Sequence, residues 1–143
     1  WCARASLNHA INAYPDVTLE DLEALRWVQA NTTGTVLGSV DIAGVWIPTY
    51  ANKTSFIDAE FFSIPDIGHR ENVTKMIYRS DDSTLVRHLV DENGIDYIYL
   101  TAGDPAYVHR GVDNITRKFE LADFTLVYKN DRARVFATGV DAG

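Results

Sequence analysis

The spacing of apolar positions marks out helices alternating with strands. Leu22, Leu25 and Val28 recur at helical intervals and predict a helix over residues 18–31. Thr18 is placed to cap it, with Asp21 three residues on as in a capping box. Glu20, Asp21 and Glu23 lie in the first turns, where the helix dipole favours negative charge. Gly34 is the stop signal, and residues 36–40 then read as a short buried strand. Residues 54–57 read as a second short strand. Residues 69–79 carry Val73, Met76 and Ile77 on one helical face. A stronger helix spans 82–92, with Asp81 or Asp82 as its cap, Leu85, Val86, Leu89 and Val90 as its stripe, and Gly94 as its end. Residues 95–100 are apolar on both faces, the pattern of a central parallel strand covered by helices. A short helix is expected over 117–121. Residues 124–128 and 133–137 form a hairpin across Asn130 and Asp131.

Between these elements lie less regular stretches. Residues 41–51, with Trp46, Ile47, Pro48 and Tyr50, fit a short helix or an irregular loop. Phe61, Phe62 and Ile64 precede Pro65 in what reads as a packed loop, and a long loop runs over 101–114. The order helix, strand, helices, strand, hairpin predicts an α/β layered sandwich with a mostly parallel sheet and a C-terminal antiparallel β-hairpin.

Composition narrows this picture. At 143 residues and 46% hydrophobic content, the chain suits one core, so residues 18–143 are expected to form a single α/β domain behind an N-terminal arm of residues 1–17. The 11% aromatic content argues against intrinsic disorder. With 13 Lys and Arg against 20 Asp and Glu, the net charge is -7, which disfavours a continuous phosphate-binding face. Nucleic acid is therefore not an expected partner. Cys2 is the single cysteine, which excludes an internal disulfide and a Cys-based zinc cage. No apolar run of about 18 residues occurs. Trp1 followed by Arg4 looks like the exit from a membrane helix, so the arm is expected to follow a membrane segment.

Most familiar chemical motifs are missing. Neither the P-loop pattern nor G-x-G-x-x-G occurs; Gly34, Gly38 and Gly44 fit neither spacing, and no cofactor is implied. Ser39 lacks the second glycine of a nucleophile elbow. Asp66 with His69, and Asp104 with His109, are the local acid–histidine pairs, and neither has the helical spacing of a zinc site. The better candidate is a loop site. In open α/β sheets, ligands bind beyond the carboxyl ends of parallel strands. The two stretches that follow such ends supply Asp41, Trp46, Tyr50, Asp104, Tyr107, His109 and Arg110. Aromatic faces with a few charges suit sugars or polar lipid headgroups, although Trp46 and Tyr50 fit core packing equally well.

One further pattern bears on location. Four of the eight Asn residues begin an N-x-Thr sequon: Asn31, Asn52, Asn72 and Asn114. About one would be expected from the Ser and Thr content. Glycan transfer needs an exposed acceptor outside the cytoplasm, so the excess favours an extracytoplasmic, glycosylated domain.

The order of elements also resembles a known family. The leading helix with Asp21-Leu22-Glu23-Ala24-Leu25-Arg26-Trp27, the run Tyr78-Arg79-Ser80-Asp81-Asp82, the strand entry Asn93-Gly94-Ile95-Asp96-Tyr97 and the ending from Leu126 to Phe136 carry the likeness. Across residues 18–138 the chain resembles the C-terminal soluble domain of polytopic membrane proteins of the type-C glycosyltransferase superfamily. Mannosyltransferase-like, oligosaccharyltransferase-like and YYY-type archaeal proteins carry such tails. The sequence has no Trp-Trp-Asp motif, which weighs against the oligosaccharyltransferase subgroup. The resemblance implies a cell-membrane protein, with this domain on the extracytoplasmic side and an archaeal source. It implies an accessory domain without catalytic residues, because the superfamily's catalytic acids lie in membrane loops. Its partners would be the transmembrane part of its own parent chain and a glycan or lipid-linked sugar. A stand-alone α/β enzyme using the loop acids and His109, or a tethered ligand-binding sensor domain, are the alternatives.

Overall fold

The computed structural model describes residues 18–39, 47–56, 67–102 and 112–139. Helix α1 (Leu19–Asn31) opens on Thr18, whose Oγ1 accepts from the Asp21 N–H at 3.3 Å, so the expected cap forms. Strand β1 (Thr35–Leu37) follows, then a single wide π-helical turn (Ile47–Ala51) and strand β2 (Thr54–Ser55). Helices α2 (Ile67–Arg79) and α3 (Ser83–Glu92) lead to β3 (Tyr97–Thr101). Asp82 caps α3 by accepting from the Thr84 and Leu85 N–H groups at 3.0 and 3.1 Å. Helix α4 (Val112–Leu121) precedes the hairpin of β4 (Thr125–Lys129) and β5 (Ala133–Ala137).

The strands form one sheet in the order β2-β1-β3-β5-β4. β2, β1 and β3 run parallel, with Val36 opposite Ser55 on one side and Tyr97 on the other. β5 lies antiparallel to β3 along all five residues, and β4 closes the edge antiparallel to β5. This is the expected α/β sandwich: a parallel sheet bordered by an antiparallel C-terminal hairpin.

Alternation of side chains along the strands divides the core in two. One face buries Val36, Tyr99, Ala133 and Val135 against Ala24, Leu25 and Val28 of α1 and Ile47 and Ala51 of the π turn. The other buries Leu37, Ile98, Leu100 and Phe136 against α2, α3 and α4. Phe119 is the hub of that second layer. Its ring centroid lies 5.3 Å from Phe136, 5.7 Å from Phe124 and 6.3 Å from Tyr78. Tilted ring pairs of this kind add about 0.5–1.5 kcal/mol each beyond their buried area.

Four features differ from the sequence pattern. Asp21, not Leu22, occupies the buried position one turn before Leu25; Leu22 is only half-buried. On α2 the buried face runs through Val73, Thr74, Ile77 and Tyr78, leaving Met76 exposed. Helix α4 begins five residues earlier than the 117–121 expectation, because Ile115 joins Phe119 on its buried face. The hairpin carries a bulge between Leu126 and Tyr128. Strict alternation would send Val127 and Tyr128 to opposite faces, whereas the extra residue lets both pack on the α1 side while Leu126 faces the other layer.

The entry to β1 is constrained by one glycine. Gly34 has φ +91°, and a Cβ there would stand 2.1 Å from Asp96 Oδ2. That same Asp96 oxygen accepts from the Thr35 N–H at 2.9 Å. Gly34→Ala is expected to cost about 2 kcal/mol, or roughly 7 °C in Tm, because it adds backbone strain to a steric overlap. In a thermal-melt double-mutant cycle, Asp96→Ala is expected to cost less in the Gly34→Ala background than in the parent. Strict additivity would show that the overlap is relieved elsewhere.

Candidate functional site

Strand order defines where a ligand would be sought. From β1 the chain moves outward to β2, then returns through α2 and α3 to place β3 on the other flank of β1. This is a topological switch point, and the carboxyl ends of β1 and β3 lie side by side in parallel register. The loops after Leu37 and after Thr101 therefore depart from neighbouring strands, as the loop-site reading requires. Asp41, Trp46, Asp104, Tyr107, His109 and Arg110 lie outside the described residues. Tyr50 falls in the π turn, of which only its backbone is described. His69 is exposed on α2, and Asp66 lies outside the described residues. Among the described residues, no group of three or more His, Cys, Asp or Glu could hold a metal ion.

The described polar cluster at this end of the sheet is one that sequence reasoning missed. Asp21, fully buried in the first turn of α1, accepts from the Tyr99 hydroxyl at 2.8 Å and from the Thr18 hydroxyl at 3.1 Å. Arg132, in the hairpin turn, brings its Nε to 3.5 Å from Asp21 Oδ2, a charge contact rather than a hydrogen bond. Arg132 is held at the carboxyl end of β3, since its carbonyl accepts from the Ala102 N–H at 2.9 Å. Asn130 completes the tie. Its Oδ1 accepts from the Arg132 and Ala133 N–H groups, while its Nδ2 donates to the Glu20 carbonyl at 2.8 Å. A helix start, a central strand and a hairpin turn thus meet at one carboxyl group.

A second polar cluster lies on the opposite face. The Tyr78 hydroxyl donates to the Tyr99 carbonyl at 2.9 Å and stands 3.4 Å from the Leu37 carbonyl, supplying a donor where the β1–β3 ladder ends. Lys118, nearly buried on α4, donates from Nζ to the Ile77 and Tyr78 carbonyls at 2.8 Å each. Those carbonyls belong to the last turn of α2, where a cation complements the helix dipole.

These clusters tie elements of the scaffold to one another. The Tyr99 hydroxyl is raised well above its ordinary value of 10.0, first by burial, then by the Asp21 charge and the hydrogen bond to it, with a smaller push from Tyr128; Arg132 opposes the rise. It stays neutral and donates. The sequence does hold a signal for this group: two tyrosines of one strand point to one face, and a buried phenol needs a partner.

No family model matches the chain, and no curated protein matches it. A solved structure does match. The C-terminal globular domain of an oligosaccharyltransferase from Archaeoglobus fulgidus superposes with a TM-score of 0.58 at 16% sequence identity, over 85% of this chain and 97% of that one. At this identity the two share a fold. The resemblance drawn from the sequence therefore holds at the level of architecture. It does so through the subgroup that the missing Trp-Trp-Asp had weighed against.

The Tyr99–Asp21 pair sets an alkaline limit. A tyrosine with a raised folded value contributes stability that is fully present below 10.0 and is lost as pH rises toward its folded value. Tyr99→Phe is expected to cost about 2 kcal/mol at neutral pH, because it removes a hydrogen bond to a buried carboxyl group. It is also expected to flatten the fall of stability above pH 10. Denaturant melts across the alkaline range, with tyrosinate absorbance, check both. An unchanged alkaline slope would mean that Tyr99 ionises in the folded protein as it does in water.

Proposed function

We propose that this chain is an accessory, non-catalytic domain of an integral membrane glycosyltransferase-like protein, carried on the extracytoplasmic side. The observation that supports it most is the architecture shared across nearly the whole of an oligosaccharyltransferase C-terminal domain. The excess of N-x-Thr sequons points to the same side of the membrane independently. The internal chemistry agrees with an accessory role. The buried Asp21, Tyr99 and Lys118 are committed to partners within the fold, which leaves them to position elements.

In this reading the domain packs on the membrane part of its parent chain. It presents the loops at the β1–β3 switch point to a glycan, a lipid-linked sugar or an acceptor. Asp41, Trp46, Tyr50, Asp104, Tyr107, His109 and Arg110 are the residues proposed to line that contact.

Two measurements test it. The reading frame upstream of Trp1 is expected to encode several membrane spans; one or two spans would favour a tethered sensor instead. The isolated domain is expected to transfer no sugar from a lipid-linked donor to an acceptor peptide. Turnover that is lost on His109→Ala would replace the accessory reading with a stand-alone enzyme.

A further inference from the structure

The four sequons fall in four different structural settings, and the differences decide which of them can be modified on the folded domain. A transferase must take in both the Asn carboxamide and the Thr hydroxyl, so a sequon is usable when both are exposed and outside a helix. Asn72 lies within α2, and its partner Thr74 is buried, with Oγ1 donating to the Arg70 carbonyl at 2.8 Å. Asn114 lies in α4, and Thr116 Oγ1 accepts from Arg134 at 2.9 Å. Asn31 ends α1 with its Nδ2 donating to the Trp27 carbonyl at 3.0 Å. Its middle residue, Thr32, is buried and donates to the Val28 carbonyl at 2.7 Å.

The Asn31 and Thr33 of that sequon are both exposed, but Asn31 is the last residue of its helix, whereas Asn52 lies outside any helix. Asn52 sits between the π turn and β2, with φ +52°, a left-handed backbone conformation. Both Asn52 and Thr54 are exposed. The Asn52 side chain makes no hydrogen bond among the described residues. Thr54 opens β2, which lies at the edge of the sheet. The neighbouring Lys53 Nζ donates to the Thr32 carbonyl at 2.8 Å.

We propose that Asn52 is the N-glycan attachment site of the folded domain, the other three sequons being withdrawn by their helices. The donor class is a lipid-linked oligosaccharide. Asn52 Nδ2 forms the bond to the anomeric carbon, and the bond from that carbon to the lipid phosphate oxygen breaks. The phosphate leaves with the electron pair, and the amide proton passes to a basic group of the transferase. The geometry stands apart from the accessory-domain reading, because it concerns acceptor access and not the parent protein.

The test uses the 143-residue chain, folded, and four synthetic peptides that each carry one sequon. All are incubated with a purified single-subunit oligosaccharyltransferase that accepts N-x-Thr, together with its lipid-linked donor. Peptide mapping by mass spectrometry gives, for each sequon, the rate in the folded protein relative to its own peptide. That ratio is expected to be at least about tenfold higher for Asn52 than for Asn72 or Asn114, since helical sequons must open locally first. Asn52→Gln is expected to remove most of the glycan from the folded chain. Equal ratios, a reversed order or an Asn52 peptide that is not an acceptor would each overturn the proposal. The assay contains no membrane part of the parent chain, so its failure is distinct from failure of the accessory-domain reading.

Discussion

A carboxyl group buried to zero exposure sets the terms for this fold. Asp21 sits inside the first turn of α1, at the position where an apolar residue would continue the stripe to Leu25 and Val28. A charge taken out of water must be met by partners, and losing one of them costs more than the pair contributes. Asp21 finds those partners on three separate pieces of chain: Thr18 in its own cap, Tyr99 in the central strand and Arg132 in the hairpin turn. The three can converge only when α1 lies at one height and one rotation over the sheet. The apolar stripe of α1 gives adhesion to the sheet, and the carboxyl group gives register.

Tyr99 passes this constraint through the sheet. Its side chain donates to Asp21 on the α1 face, while its carbonyl accepts from Tyr78, which belongs to the helical layer on the other face. Next to Tyr78, Lys118 ties the last turn of α2 to α4. Phe119, the neighbour of Lys118, is the centre of the aromatic cluster. A continuous run of hydrogen bonds therefore links α1, β3, α2 and α4, with an apolar layer on each side of the sheet. Tyr78, Tyr99, Asp21 and Lys118 are the groups that make this link.

Much of the architecture was legible along the chain. The cap at Thr18, the stripe of α3, the parallel centre and the hairpin all rest on local rules of spacing and turn chemistry, and local rules are written in sequence. The errors share one cause. Leu22 and Met76 satisfy helical periodicity yet are not the buried positions, because the layer that each helix meets selects the face, and that layer comes from distant sequence. The early start of α4 has the same origin, since Ile115 gains its apolar neighbours only in the assembled core. The loop-site residues other than Tyr50 lie outside the described residues. What the described residues give is that β1 and β3 are parallel neighbours, with Leu37 beside Ile98.

The sequence by itself determined most of the helices and strands, that the sheet has a parallel centre and a hairpin border, and where four N-x-Thr sequons stand in the chain. These depend on neighbours within a few residues. Only the tertiary structure decided that a capping aspartate is also the buried partner of Tyr99. It also decided that β4 bulges so that Val127 and Tyr128 face one layer, and that Asn52 alone among the sequons is exposed outside a helix with its threonine free of the core. Each of these depends on which surfaces meet across distances of tens of residues. Burial, not sequence position, sets whether a polar group must find a partner or remains open to a reagent from outside.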